Sequence, residues 1–451
     1  MVISLTIRLF TQLIIIYVYA RRLNYVDYGT YQSIWLYINV ISVIGLFGLP
    51  SLLFSTSIIY VRSWIKENSV TFFVSAIVLN FLPFIFVILF GQKLSALSVV
   101  LLGVVVIAQN ISVISESISI KNEKEKLVLA SNIIYNIGYL LCHLLILYIG
   151  YSLNCILIAI IILYIIKSTM LIAFNHPVYL NQNAIYIQGL GRQWFYLGVN
   201  DTISVLYKWM DKWTVLLLIS VTQFALYFNG SYEIPIFGLM LSAVGNIMLV
   251  ELSRHTDNSF LKTKLLFTSS SLLLASVTFP CFSFLLLYHT EVFTIIFSQK
   301  YNAAIPIFVI SIFIIPVRIT NYTALLQINH KSGLIVQGAV IDLFVAATLM
   351  FILYPIFKMN GLALAVVIST YIQAMYYLWK TSRLLQQKIT SFFPLNKLSL
   401  IMLISVLSMY FIHFLFQSLG NIQGIVVGIL ATGLLCCFFL FNYLKEKNPL
   451  W

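Results

Sequence analysis

FYLGVNDTISVLYKWMDKWTVLLLIS, residues 195–220, is long and apolar enough to cross a bilayer, yet it carries Asp201, Lys208, Asp211 and Lys212. At 100° per residue these four fall within an arc of roughly 100°, so an α-helix presents them on one face. A charge at mid-membrane costs about 2.5 to 3.5 kcal/mol, and four left unpaired would cost on the order of 10 kcal/mol. Two arrangements remove that cost. In the first, Asp201 pairs with neighbours a turn or two away, Lys212 snorkels to an interface, and the cluster holds helices together. In the second, the face lines a water-filled cavity that takes a polar or charged substrate.

The rest of the chain has the same character. Of its 451 residues 61% are hydrophobic and 9% charged, against about 25% charged in soluble domains. Apolar runs of about 17 to 25 residues recur with short polar breaks, as bilayer-spanning helices require. Spans are expected near 3–20, 31–58, 70–90, 97–120, 127–149, 153–174, 195–219, 231–251, 265–288, 303–327, 333–356, 361–379, 398–417 and 422–444, about fourteen in all. The fold class is therefore an all-α polytopic membrane protein. The run from Ile3 to Ala20 continues into Arg21-Arg22 without a small-residue cleavage site, so the first span is expected to serve as its own targeting signal.

Charge sets the expected orientation. Seventeen of the 26 Lys and Arg are assigned to connections after even-numbered spans, Lys121, Lys124, Lys126 and Lys167 among them, and five to the odd-numbered connections. Cytoplasmic loops concentrate cations, so both termini are expected in the cytoplasm. The longest non-spanning segments, 175–194 and 380–397, are too short for a catalytic fold, although each could form an interfacial amphipathic helix, with bends at Asn175-His176-Pro177 and Pro394. The charged KNEKEK at 121–126 reads as a solvated turn.

Catalytic chemistry finds little to work with. The six histidines stand singly without paired ligand spacing, and the five cysteines sit in apolar segments without CxxC spacing, so no metal or cofactor is expected. A membrane glycosyltransferase or polymerase would need an acidic metal motif or a large extramembrane loop, and neither is visible. Gly189-Leu190-Gly191 lacks a phosphate-loop context and reads as a flexible bend. Aromatic residues are expected mainly at lipid and interfacial positions, Trp35 and Trp64 included, with Tyr207, Trp209 and Trp213 close to the ionic face.

An internal repeat is present. Asp27-Tyr28-Gly29-Thr30-Tyr31-Gln32 opens the second span and Phe228-Asn229-Gly230-Ser231-Tyr232-Glu233 the eighth, about 201 residues later. The same offset sets Arg8 beside Lys208. Six spans separate the copies, so the halves share one orientation in the membrane.

The Arg-rich break before YGTY (residues 21–31), Asp211-Lys212, NGSYEIP at 229–235, QKYNAAIPIF at 299–308 and NGLALAVVIS at 360–369 together resemble the Wzx-type polysaccharide flippases of the multidrug/oligosaccharidyl-lipid/polysaccharide exporter superfamily. The resemblance covers nearly the whole chain in order and spacing. It implies two six-helix lobes around a cavity, 1–193 and 194–397, plus two additional helices in 398–451. It further implies a substrate, an oligosaccharide joined through pyrophosphate to a polyprenol and moved across the bacterial cytoplasmic membrane, with polysaccharide polymerase machinery as a partner. The rival functions on the same fold are a multidrug or toxin exporter and a peptidoglycan-precursor flippase.

The residues suit such a substrate. A charged headgroup stripped of water needs replacement partners, and Lys and Arg meet phosphate oxygens by charge-assisted hydrogen bonds. Arg8, Lys208, Lys212 and Arg318 are the headgroup candidates. Arg318 follows Pro316, where a break in the tenth span could expose backbone groups, and its structural alternative is a pair with Asp342 or Glu116. Asp201, Asp211 and Asp342 are candidates for proton or sodium coupling or for structural ion pairing; Asp211, beside Lys212, fits pairing and Asp342 fits coupling. Solvated roles are expected for Glu116, Glu233, Glu251 and Glu291. Coupling is not required by energetics, because expelling an anion from a negative interior gains about 2.3 kcal/mol per charge per 100 mV.

Overall fold

Long apolar runs, rich in Ile and Val, become long helices because hydrocarbon offers backbone N–H and C=O groups no partners beyond their own helix, and turns separate them. The computed structural model describes residues 2–56, 58–90, 94–174, 189–253, 260–329, 331–416 and 421–446. In chain order the helices are α1 (Val2–Arg22), α2 (Tyr25–Leu46), α3 (Leu49–Ser55), α4 (Ile58–Glu67), α5 (Ser69–Phe90), α6 (Ala96–Lys121), α7 (Glu125–Ile149), α8 (Leu153–Ala173), α9 (Leu190–Leu218) and α10 (Val221–Gly230). They continue as α11 (Pro235–Ser253), α12 (Phe260–Leu287), α13 (His289–Phe297), α14 (Ile305–Ile312), α15 (Ala324–Ile328), α16 (Ser332–Phe357), α17 (Met359–Leu385), α18 (Ile389–Phe392), α19 (Leu395–Leu415) and α20 (Asn421–Glu446). No strand occurs among the described residues.

Nine of the described helices are long and apolar enough to cross a bilayer, or up to eleven if the bent pairs α2–α3 and α10–α11 each count as one span. Helices α1, α5 and α9 have 21, 22 and 29 residues, and at 1.5 Å per residue each reaches the roughly 30 Å of a hydrocarbon core. The exposed face of α5 is apolar. On α5, Phe73, Ile77, Phe81, Ile85 and Ile88 are all more than half exposed and recur every three to four residues, a face made for lipid rather than water. The protein is a multi-pass membrane protein.

The chain forms two compact units, Met1–Ala225 and Leu226–Trp451. In the first, α1 packs on α7, α2 on α5, α6 and α9, and α8 on α6 and α7. In the second, α12 is the hub for α11, α19 and α20, while α16 packs along α17. The long helix expected to open the second lobe, α9, clusters within the first unit.

Several expectations are corrected. The eighth span was expected to start at 231, but Val221–Gly230 is already helical and bends by 51° into α11. Lys167 was assigned to a cytoplasmic loop; it sits in α8 and is only 8% exposed. The KNEKEK turn is more than a solvated loop. Lys121 Nζ donates to Phe54 O in the last turn of α3, and Lys124 Nζ donates to Phe174 O at the C-cap of α8. Cations there satisfy carbonyls that helices leave open at their C-termini. Segment 380–397 is divided among three helices and is not one helix of its own. α17 runs on to Leu385, and the four-residue α18 buries Phe392 against Phe267, ring centroids 5.6 Å apart, because an aromatic ring gains more from the α12 core than from an interface. The bend at Pro394 caps α19, and Gly189 is the N-cap of α9. The bend at Asn175-His176-Pro177, and the segment 175–194 up to residue 188, lie outside the described residues.

The break between α2 and α3 shows how sequence sets geometry. Phe47 and Gly48 both adopt left-handed backbone, φ 39° and 73°, and together turn the chain by 51°. Gly48 crosses α9 so closely that a Cβ there would lie 2.5 Å from Gly198 N. We predict that Gly48→Ala lowers stability by about 2 kcal/mol, roughly half from left-handed strain and half from the displaced crossing, as read by thermal unfolding in detergent. The repeat is physical as well. A Cβ on Gly29 would lie 2.4 Å from Val221 O, and one on Gly230 2.9 Å from Ala304 O, so both copies place glycine where another segment touches backbone.

Candidate functional site

Five helices of the first unit turn polar side chains toward one another. Arg8 and Gln12 come from α1, Trp35 from α2, Gln109, Ser112 and Glu116 from α6, Asn132, Tyr135, Asn136 and Tyr139 from α7, and Tyr164 and Lys167 from α8. Spacings of three and four put each set on one helix face. They line a cavity of about 160 Å³, room for several waters.

The charges inside are organised. Lys167 Nζ lies 2.7 Å from Glu116 Oε2, and Asn132 Nδ2 donates to Glu116 Oε1 at 2.9 Å. Both carboxylate oxygens are thus occupied, which offsets the desolvation of a lysine whose side chain is 9% exposed. The same ammonium stands 5.5 Å above the Tyr135 ring. Arg8 lines the cavity and is exposed to it, and it forms no ion pair with another described residue. Glu116, for which a solvated role was expected, is instead the anchor of a buried lysine.

A directed chain of hydrogen bonds leaves this cavity. Tyr164 donates its hydroxyl to Gln109 Oε1 at 3.2 Å, Gln109 donates to Ser42 Oγ at 3.2 Å, Ser42 donates to Asn110 Oδ1, and Asn110 donates to Asn80 Oδ1 at 3.1 Å. Asn80 finally donates to Gly45 O at 3.3 Å, just before the α2–α3 break. Every member is satisfied, so the network fixes one packing of α2, α5, α6 and α8.

The ionic face of α9 is elsewhere, and none of its charged residues lines this cavity. Asp201 accepts from Ser51 Oγ of α3 at 3.0 Å. Asp211 is 5% exposed, with Lys212 Nζ 3.4 Å from its Oδ2. Lys208 is exposed, and it and Lys212 stand 5.7 and 5.5 Å from the Trp209 ring. Trp213 packs edge-on against Tyr37, centroids 5.2 Å apart.

In the second unit the tenth span is broken as Pro316 suggests: α14 stops at Ile312, a 3₁₀ turn covers Ile315–Val317, and Arg318 follows. Arg318 Nη2 lies 2.7 Å from Glu233 Oε2 in a cleft lined by Tyr232, Phe237 and Phe308. Its partner is therefore Glu233, and neither Asp342 nor Glu116 is its counter-ion. Asp342 is fully buried in α16.

Of the headgroup candidates only Arg8 lines this cavity, and the residues around it were not among the candidates. The available signal was the polar face 109, 112, 116 on α6 recurring with 132, 135, 136, 139 on α7. Trp35, expected at the lipid interface, lines the cavity instead, because its helix turns that face toward α7, where Trp35 meets Tyr139 at 5.8 Å.

No protein-family model matches the sequence, and no curated protein matches it. Solved structures do match its fold. The lipid II flippase MurJ in an inward closed conformation superposes with a TM-score of 0.73 at 17% identity, covering 99% of this chain and 99% of that one. A multidrug resistance MATE family transporter of the MOP superfamily, in an inward-facing conformation, superposes at 0.53 and 11% identity, covering 82% of this chain and 98% of that one. The chain has the fold these transporters share.

Proposed function

We propose that this chain is a flippase for polyprenyl-pyrophosphate-linked oligosaccharides, working by alternating access in the bacterial cytoplasmic membrane without a covalent step. The observation that carries the reading is the cavity in the first unit, lined by amides, an ion pair and aromatic rings together with Arg8, inside a bundle whose exterior suits lipid. A headgroup there exchanges water for amides and a cation, while the polyprenol tail stays in hydrocarbon. In this reading the lobes expected at 1–193 and 194–397 move, with α9 travelling with the first, in which it packs; 398–451 accompanies the second, and both termini are cytoplasmic. Lys208, Lys212 and Arg318 serve the headgroup at other stages of transit. Asp342 is the candidate for proton or sodium coupling, and Asp201 and Asp211 fit structural roles, given their Ser51 and Lys212 partners.

The full-length likeness to a lipid II flippase favours one second reading, a peptidoglycan precursor as cargo. An exporter of amphipathic cations is disfavoured by chemistry, since the cavity's one carboxylate is already neutralised by Lys167. Proteoliposomes containing the purified protein test the choice. Undecaprenyl pyrophosphate bearing an oligosaccharide is expected to become accessible in the opposite leaflet at a rate well above that of protein-free vesicles, with ethidium left untransported. Ethidium transport without lipid transport would refute the proposal.

A further inference from the structure

Resting on that reading, we infer that the cavity of the first unit is a saccharide subsite, seating the sugar next to a pyrophosphate that Arg8 holds. A pyranose ring has faces of C–H bonds and a rim of hydroxyls. Its site needs flat aromatic surface, with groups that both donate and accept hydrogen bonds at the edge. The cavity supplies both. Tyr135 stacks beside Tyr164, centroids 4.9 Å apart and planes 28° apart, and beside Tyr139 at 5.8 Å and 26°. Trp35 stands across the end of this row, its plane 66° from that of Tyr139. Asn132 and Asn136 stand along the same cavity; each gives one amide hydrogen to the protein, to Glu116 and to Asn132 O, and keeps a second N–H and an amide oxygen for a sugar hydroxyl, while Gln109 is held by Tyr164 and Ser42.

Charge excludes the other ligand classes. Glu116 and Lys167 cancel, so Arg8 leaves the cavity with a formal charge of +1. A site for pyrophosphate alone would gather several cations and have no use for four aromatic rings. A site for an amphipathic cation would set an open carboxylate against the rings, whereas both oxygens of Glu116 are engaged within the protein. One cation beside aromatic surface and amides matches a neutral sugar with a phosphate at its end.

Native mass spectrometry of the full chain in nanodiscs separates this inference from the flippase reading, with two probes: bare undecaprenyl pyrophosphate and undecaprenyl pyrophosphate carrying N-acetylglucosamine. The wild type is expected to retain the glycosylated lipid at least tenfold better. Trp35→Leu and Tyr135→Leu are expected to bring retention of the glycosylated lipid down to that of the bare lipid, and the conservative Trp35→Phe and Tyr135→Phe to keep most of the preference. Arg8→Ala is expected to weaken both probes alike. Equal retention of the two lipids by the wild type, or a preference that survives both leucine variants, would overturn the saccharide subsite and leave the flippase reading standing. Retention of neither lipid would instead remove the flippase reading.

Discussion

Lys167→Met is expected to lower unfolding stability by about 3 kcal/mol, since it strands a carboxylate that the fold has taken out of bulk water. Glu116 would keep its bond from Asn132 and lose the ammonium at 2.7 Å. Breaking a buried pair costs about 3 to 5 kcal/mol, and the lower end applies because the Glu116 side chain is 25% exposed to the cavity. Removing both charges should be far milder. The double variant Glu116→Gln with Lys167→Met is expected within about 1 kcal/mol of the parent, because an amide can still accept from Asn132. Unfolding in mixed micelles measures both. A single substitution no worse than about 0.5 kcal/mol would mean that Lys167 snorkels to water and that Glu116 needs no counter-ion.

Arg8→Ala is expected to slow lipid transport about 100-fold, corresponding to about 3 kcal/mol for a lost charge-assisted, bidentate contact to phosphate. Stability should change by less than about 0.5 kcal/mol, because Arg8 is exposed and forms no ion pair with a described residue. Arg8→Lys should recover part of the rate, roughly tenfold, since lysine restores the charge but not the planar fork. Transport rates in proteoliposomes, read beside thermal unfolding of the same preparations, separate the two effects. Full activity in Arg8→Ala would move the headgroup site away from this cavity.

The helical, bilayer-spanning architecture was legible because each span announces itself by length and hydropathy, and residues 195–220 announced their ionic face in the same way. Pro316 signalled the break that sets Arg318 apart, and the repeated glycines marked real close approaches. What the sequence hid were pairings between helices. Lys167 lies near the end of an apolar run, so it reads as a loop cation until α6 brings Glu116 beside it. Asp201 reads as a charge in search of a lysine, and its partner is the hydroxyl of Ser51, 150 positions earlier. Trp35 reads as an interfacial aromatic, since nothing within α2 says which face meets α7. The cavity is built from spacings that are local and a convergence that is not.

The leaflet distribution of polyprenyl-pyrophosphate oligosaccharides in cells, read with a sugar-modifying enzyme confined to the periplasmic side, decides whether this chain is their flippase. With the gene deleted, these lipids are expected to accumulate out of the enzyme's reach, on the cytoplasmic side. Arg8→Ala should give the same defect in part, and re-expression of the unaltered chain should reverse it. An unchanged distribution after deletion, accompanied by altered sensitivity to toxic cations, would contradict the account and assign the cavity to a different cargo.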